Sequence, residues 1–336
     1  MKEREISNKP TYQPCWISYL GAVSGSLKAL GKDYDVTDVG GYSGWSFLIN
    51  VSKGVTCASG PTAHKAYKDI LIGTQSLGFE IGGHDDPPCI PAKEGEITQE
   101  EQQRFQKYFE IVKKEIIEKD RPLVLWGIPV PEYGIVYGFK DDSYIVSTFR
   151  YLNNIPETPI PYDKLAAPGG LHYFSFGNEL DIDQETADKE AIERAIKLTK
   201  GGPEITNENY VAGTEAFTEW ATVLKNEEIE KGGHNYHGNS YVAMCALEGR
   251  HTAVEFLNRL NERYSGKPQS DHLSKAAEEF AQTRDLLKEF AAIFPFAFEG
   301  DMSKESREQG ATLLEQAIPH ELEAVKNLEA ALDFWE

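Results

Sequence analysis

Residues 12–31, Tyr-Gln-Pro-Cys-Trp-Ile-Ser-Tyr-Leu-Gly-Ala-Val-Ser-Gly-Ser-Leu-Lys-Ala-Leu-Gly, constrain this chain more than any other stretch, because they read as a buried helix headed by a cysteine. Ile17, Leu20, Ala22, Val23, Leu27 and Leu30 recur at mixed three- and four-residue spacing, which leaves a wide apolar face. Pro14 suits a first turn, where a missing backbone N–H costs nothing, and Gly31 suits the stop. This spacing predicts a helix that begins at Pro14 and places Cys15 in its first turn. Unpaired amides and the positive end of the helix dipole favour a thiolate there. A cysteine that merely packs would leave the same local pattern, since free cysteine is among the most buried residue types.

Length and charge bound what such a helix can serve. The 336 residues are 40% hydrophobic and 26% charged, which is enough for a large core and too apolar for wholesale disorder. A net charge of −20, from 54 acidic against 34 basic residues, argues against nucleic acid or an anionic membrane as partner. Cys15, Cys57, Cys89 and Cys245 are too sparse for a disulfide scaffold and have no CxxC spacing for structural zinc. No apolar run reaches the roughly 18 residues of a membrane span, and the residues before Cys15 show no signal-peptide pattern. A cytoplasmic protein with reduced thiols and no cofactor is the expectation, and a homodimer is compatible with it.

Along the chain, Gly40, Gly41 and Gly44 interrupt aromatic and hydroxyl residues before an alternating run over residues 45–51 that predicts a strand. A helix is expected over residues 62–77 and a short strand over 79–81. His84, Asp85, Asp86 and Cys89 follow in a proline-containing loop that lacks metal-site spacing. Thr98 with Glu101 forms a capping box for a helix to Lys119. Strands are then expected over residues 122–127, 133–138 and 144–149, with a hairpin turn at Lys140-Asp-Asp-Ser143. Residues 155–161 are proline-rich and mark a division between domains 1–154 and 155–336. Beyond them one strand is expected near 171–176, then helices over 188–200, 213–230, 240–264, 271–293 and 303–334.

The fold class is therefore α+β, with the cysteine helix packed on an antiparallel sheet and a mainly helical extension behind it. Three passages give this order a resemblance: Pro14-Cys-Trp-Ile-Ser18; Gly41-Tyr-Ser-Gly-Trp-Ser-Phe47; and Asp120-Arg-Pro-Leu-Val-Leu-Trp-Gly127 with Pro131-Glu-Tyr-Gly-Ile-Val-Tyr-Gly-Phe139. Residues 210–220 and 248–257 extend it into the helical part. The chain resembles bacterial proteins related to the amino-terminal domain of butirosin biosynthesis protein H, themselves similar to papain-like peptidases that remove double-glycine leaders. The resemblance implies a papain-like fold and a thiol acyltransferase, or an amide or thioester hydrolase, acting through Cys15. Its substrate would be a small molecule, a peptide or a carrier-protein thioester. Such chemistry needs a thiolate, a histidine that exchanges protons with it and a polar residue that orients the histidine.

The chain departs from that pattern where the chemistry is decided. Glu132 stands where the histidine of the His-x-x-x-x-x-Gly strand is expected, and Ser147-Thr148-Phe149 stands where the orienting acid is expected. Lys9 holds the position of the oxyanion glutamine, and Gln13 is the nearest substitute. A carboxylate accepts a proton but cannot supply the imidazolium that keeps a thiolate charged. His172, in the strand after the linker, is the alternative histidine. His234, His237 and His251 lie in a loop and a helix without a shared ligand face. Trp16, Tyr42, Ser43, Trp45, Tyr133 and Trp220, with Tyr210, are the candidate substrate-binding residues, and the aromatic ones would serve equally as core at the seam between sheet and helices. A catalytically impaired homologue that binds a small metabolite or peptide is the alternative function.

Overall fold

The computed structural model describes residues 2–86, 98–167, 171–226 and 234–335. It is mixed α/β, with an antiparallel sheet and C-terminal helices. The first half of the chain forms β1 (Glu3–Glu5), α1 (Ser18–Ala29), α2 (Val36–Ser43), β2 (Asn50–Ser52), α3 (Tyr67–Gln75), β3 (Phe79–Asp86), α4 (Gln99–Lys119), β4 (Leu123–Trp126), β5 (Tyr133–Lys140), β6 (Ser143–Ser147) and β7 (Ile160–Pro161). Then come β8 (Leu171–Glu179), α5 (Gln184–Lys200), β9 (Tyr210–Ala212), α6 (Thr214–Lys225), α7 (His234–Arg263), α8 (Pro268–Ile293) and α9 (Lys304–Leu332). Single 3-10 turns occupy Trp45–Phe47 and Phe149–Asn153.

Local signals explain many of these boundaries. The α1 C-terminus is a Schellman motif: Lys32 N donates to Leu27 O, Gly31 N donates to Lys28 O, and Gly31 takes a φ of 85°. At α4, Thr98 N donates to Glu101 Oε2 at 2.8 Å and Glu101 N to Thr98 Oγ1 at 3.2 Å, the reciprocal pair of a capping box. The β5–β6 hairpin closes through Asp141 at a φ of 48°. The strand expected over residues 45–51 is largely absent. Gly44, at a φ of 81°, ends the α2 segment and starts a 3-10 turn, and only Asn50–Ser52 is strand.

The chain groups into two units, 1–39 with 77–181 and 40–76 with 182–336. The division expected after residue 154 falls elsewhere for a pairing reason: β8 joins the sheet of the first unit between β3 and β4. In return, residues 40–76 supply β2, which pairs with β9 in the second unit.

In the first unit the sheet runs β3-β8-β4-β5-β6-β7, all antiparallel, with β1 paired to the far half of β5. Leu123, Leu125 and Val136 pack on Phe109, Val112 and Ile116 of α4 on one face. Side chains alternate across a strand, so Tyr133 and Phe174 point the other way. Their rings meet Tyr19 of α1 at 5.6 and 5.5 Å, which puts α1 on that second face.

In the second unit α6 to α9 bury Trp220, Phe290, Phe294, Ala311 and Leu314 in one cluster. Beside it lies a charge pair with no exposure on either side chain. Arg250 Nε and Nη2 each donate to a Glu321 carboxylate oxygen at 2.7 Å, and Nη1 donates to Ser46 O at 2.7 Å. The bidentate fork satisfies the donors that burial removes from water, and the guanidinium lies 5.2 Å from the Phe280 ring centroid. Replacing Glu321 with Ala strands the guanidinium and is expected to cost about 3–5 kcal/mol in urea unfolding, whereas the double change Arg250→Met/Glu321→Leu recovers most of it.

Candidate functional site

Cys15 does not sit in a helical turn. α1 begins at Ser18, its cap residue Ile17 is extended, and residues 11–15 run back along the helix they precede. Gln13 N donates to Gly21 O at 3.1 Å, and two glycines one turn apart make this approach feasible. A Cβ at Gly21 would overlap Gln13 O and lie 2.5 Å from Cys15 Sγ and 2.8 Å from Tyr12 Cζ; one at Gly25 would overlap Thr11 O. The helix starts later than Pro14 suggests: proline suits an extended segment as well as a first turn, and Pro14 lies in the segment that passes against Gly21 and Gly25 before the extended Ile17.

Cys15 is partly buried. Sγ donates to Ile17 O at 3.2 Å and lies 3.4 Å from Tyr12 Oη. Tyr12 is held through both of its backbone polar atoms. Its N–H donates to Ser147 Oγ at 3.0 Å, and its carbonyl accepts from Tyr151 Oη. Burial first, and then the charge on Cys15, push the Tyr151 phenol above its ordinary range.

Glu132 reaches the same end of α1. Ser18, the first helical residue, donates from Oγ to Glu132 Oε2 and accepts from Tyr133 N at 2.9 Å. The carboxylate therefore lies where the helix dipole favours an anion. Its backbone is fixed by Gly127 N and Ile128 N, both of which donate to Glu132 O. Three of the sequence-selected residues, Cys15, Glu132 and Tyr133, thus converge on one helix start, with half-buried Trp16 next to Cys15.

Gln13 does not take the expected place of an oxyanion donor. Its Nε2 donates to Thr11 O at 2.8 Å, and its Oε1 accepts from Lys28 Nζ at 3.2 Å. His172 is on the α1 face of the sheet but two strands from β5. Trp126 pairs with Tyr133 and Leu125 with Tyr173, so the indole of Trp126 stands between His172 and Tyr133, with ring centroids 6.4 and 4.8 Å away. Two strand spacings make about 9–10 Å of backbone separation. At the end of β6, Thr148 N and Oγ1 bond Glu157 at 2.5 and 2.9 Å, so the carboxylate missing from that strand is supplied by the following loop.

Tyr133 is fully buried, packed between Tyr19, Trp126 and Phe174. Tyr42, Ser43, Trp45 and Trp220 belong to the second unit and are buried there. Ser43 accepts from Trp45 N, Trp45 sits edge-on to His64, and Trp220 Nε1 donates to Asn239 Oδ1 at 2.7 Å. Tyr42 Oη donates to fully buried Asp188, which also accepts from Gln184, Arg263 and Tyr264. Tyr210, in the same unit, meets Ser59 Oγ at 2.8 Å. His237 stacks on Phe298 at 4.5 Å and His251 is exposed, while Cys89 and the side chains of His84, Asp85, Asp86 and His234 lie outside the described residues. Tyr12, Ser18, Tyr151 and Glu157 are not among the residues expected from sequence; the four-residue spacing of Gly21 and Gly25, which the sequence reading passes over, is the local trace that such a close backbone approach leaves.

No family model matches this chain, and no curated protein matches it.

Two outcomes follow from this geometry. Gly21→Ala forces overlap with backbone as well as sulfur, and is expected to cost about 1–3 kcal/mol in urea unfolding and to change the iodoacetamide reactivity of Cys15. Burial first, and the Asp188 carboxylate second, raise the Tyr42 and Tyr264 phenols above the usual tyrosine range. The folded chain then retains protons that the unfolded chain releases near pH 10, so this stability is complete below about pH 10 and lost as pH rises above it. Urea midpoints should decline from pH 9 to 11, and less steeply in Tyr264→Phe.

Proposed function

We propose that this chain is a papain-like thiol enzyme that moves an acyl group from a thioester, small or carrier-bound, through Cys15 to an amine or to water. The observation that carries the reading is the sulfur of partly buried Cys15 beside a Tyr12 hydroxyl, with the Glu132 carboxylate fixed to the start of the same helix through Ser18. The order of cysteine lead-in, helix and antiparallel sheet supports the papain-like ancestry.

The proton inventory favours a thioester over an amide. Expelling an amine needs a general acid, the part an imidazolium plays, and here a carboxylate holds that position. A thiol leaving group departs as a stable thiolate and needs no such acid, so thiol-for-thiol exchange suits these residues. Glu132 then serves as acceptor for the proton of the attacking thiol or amine.

A second reading, a ligand-binding homologue without turnover, is favoured by one contact: the Cys15 thiol already donates its proton to Ile17 O. The two readings separate by intact mass. With an acetyl thioester of N-acetylcysteamine, the wild type is expected to gain one acetyl group that Cys15→Ser does not. Glu132→Gln is expected to slow acetylation about 100-fold. Its iodoacetamide alkylation at pH 7 should hold or rise, because removing an anion favours a nearby thiolate. No adduct, together with ligand binding unaffected by Cys15→Ser, would establish the second reading.

A further inference from the structure

Aromatic side chains left in water mark a contact surface when they cluster and are held in place. The second unit carries such a cluster, where the segment between α8 and α9 passes the start of α7. Phe298 is 73% exposed, more than any other large hydrophobic residue among those described, and Phe296 is 42% exposed. Phe298 stacks on His237 with ring centroids 4.5 Å apart and planes 15° from parallel. Phe296 lies 5.6 Å from His237, and Tyr241 lies 6.3 Å from each of them.

The segment that presents Phe298 is tied to α7 on both sides of the ring. Before it, Tyr236 Oη donates to Pro295 O at 2.9 Å, and Ser240 Oγ lies 3.2 Å from Ala297 O. Ala297 O also meets His237 Nδ1 at 3.3 Å; a carbonyl only accepts, so the imidazole proton there is on Nδ1 and the stacked ring is fixed in orientation. After it, a Cβ at Gly300 would overlap the Tyr236 ring, so the backbone lies directly on that side chain. A ring held in this way gives up little freedom when a partner covers it.

We infer that this face docks a partner protein through an arginine side chain laid on the open face of Phe298. His237 covers one face of the ring, and the exposure of Phe298 leaves the other to solvent. The face of an aromatic ring is the negative side of its quadrupole and attracts a cation. Local charge agrees with that sign. Residues 294–303 hold two carboxylates, Glu299 and Asp301, and no lysine or arginine. The next cation, Lys304, pairs with Glu308 at 3.8 Å. Asp301 is occupied by Ser303 and Ser306, whereas Glu299 is exposed and makes no hydrogen bond or ion pair among the described residues.

A guanidinium is planar, so it can stack on Phe298 and still turn its N–H groups toward the carboxylate of the next residue; a compact ammonium offers no such plane. Small free ligands are held in pockets that enclose most of their surface. Phe298 stands in the open, so the cation is one carried on a protein surface. The net charge of −20 attracts a basic partner before contact.

The test uses the full chain in about 0.15 M sodium chloride, where long-range attraction is screened. Fluorescein-labelled peptides of alternating glycine and arginine, glycine and lysine, or glycine and citrulline are titrated by fluorescence anisotropy. The arginine peptide is expected to bind about fivefold more tightly than the lysine peptide, and the citrulline peptide not measurably. Phe298→Leu keeps the net charge and an apolar side chain, and is expected to weaken the arginine peptide about fivefold, while Phe298→Tyr retains the wild-type affinity. Equal affinity of wild type and Phe298→Leu would overturn the inference, since the peptide would then be reading net charge alone. Equal affinity for arginine and lysine, binding of citrulline, or no binding of the arginine peptide would overturn it as well. Should Phe298→Leu lose its melting transition, Glu299→Gln replaces it: a larger loss for the arginine peptide than for the lysine peptide supports the inference, and an equal loss or none refutes it.

Discussion

The position of Cys15 depends on how closely one backbone passes another. Residues 11–15 lie against α1 at a separation that no Cβ at Gly21 or Gly25 would permit. Without that approach Tyr12 would not reach Ser147, and the cysteine would stand off the helix start where Glu132 is anchored. Two hydrogen atoms in place of methyl groups thus decide where the thiol sits.

Around this contact the first unit assembles its chemistry from elements far apart in sequence. The lead-in brings Tyr12 and Cys15, the turn before β5 brings Glu132, and the 3-10 turn after β6 brings Tyr151. Each polar group has a defined partner, which is what preorganisation requires. The second unit uses equally dense polar contacts for another purpose. Arg250 with Glu321, and Asp188 with its four donor side chains, hold a buried carboxylate through charge-assisted hydrogen bonds that join separate elements of that unit.

Much of this was legible in the residues. The capping box at Thr98, the stop at Gly31, the hairpin at Asp141 and the long C-terminal helices each follow from a local rule, and the structure obeys them. Illegible features were those set by long-range pairing. The single strand expected near 171–176 turned out to sit between β3 and β4, so it draws the linker into the first unit. The aromatic residues around Trp45 alternate like a strand, yet Gly44 turns them into a 3-10 segment buried in the second unit. Tyr42 and Trp220 are eligible for core or pocket by composition, and their burial and their bonds to Asp188 and Asn239 are set by residues far away in sequence. At the thiol, Cys15 and Glu132 were chosen for their type, whereas Tyr12 owes its place to backbone geometry.

The interleaving of the two units has a consequence for how the chain is made. The strand that joins β3 to β4 is β8, so a ribosome must release residues to about 179 before the sheet of the first unit can close. By then residues 40–76 have already emerged, while their strand partner β9 and the helices α5 to α9 have yet to emerge. Trp45, Phe47 and their neighbours, buried in the folded chain, are therefore without their helical cover at that stage.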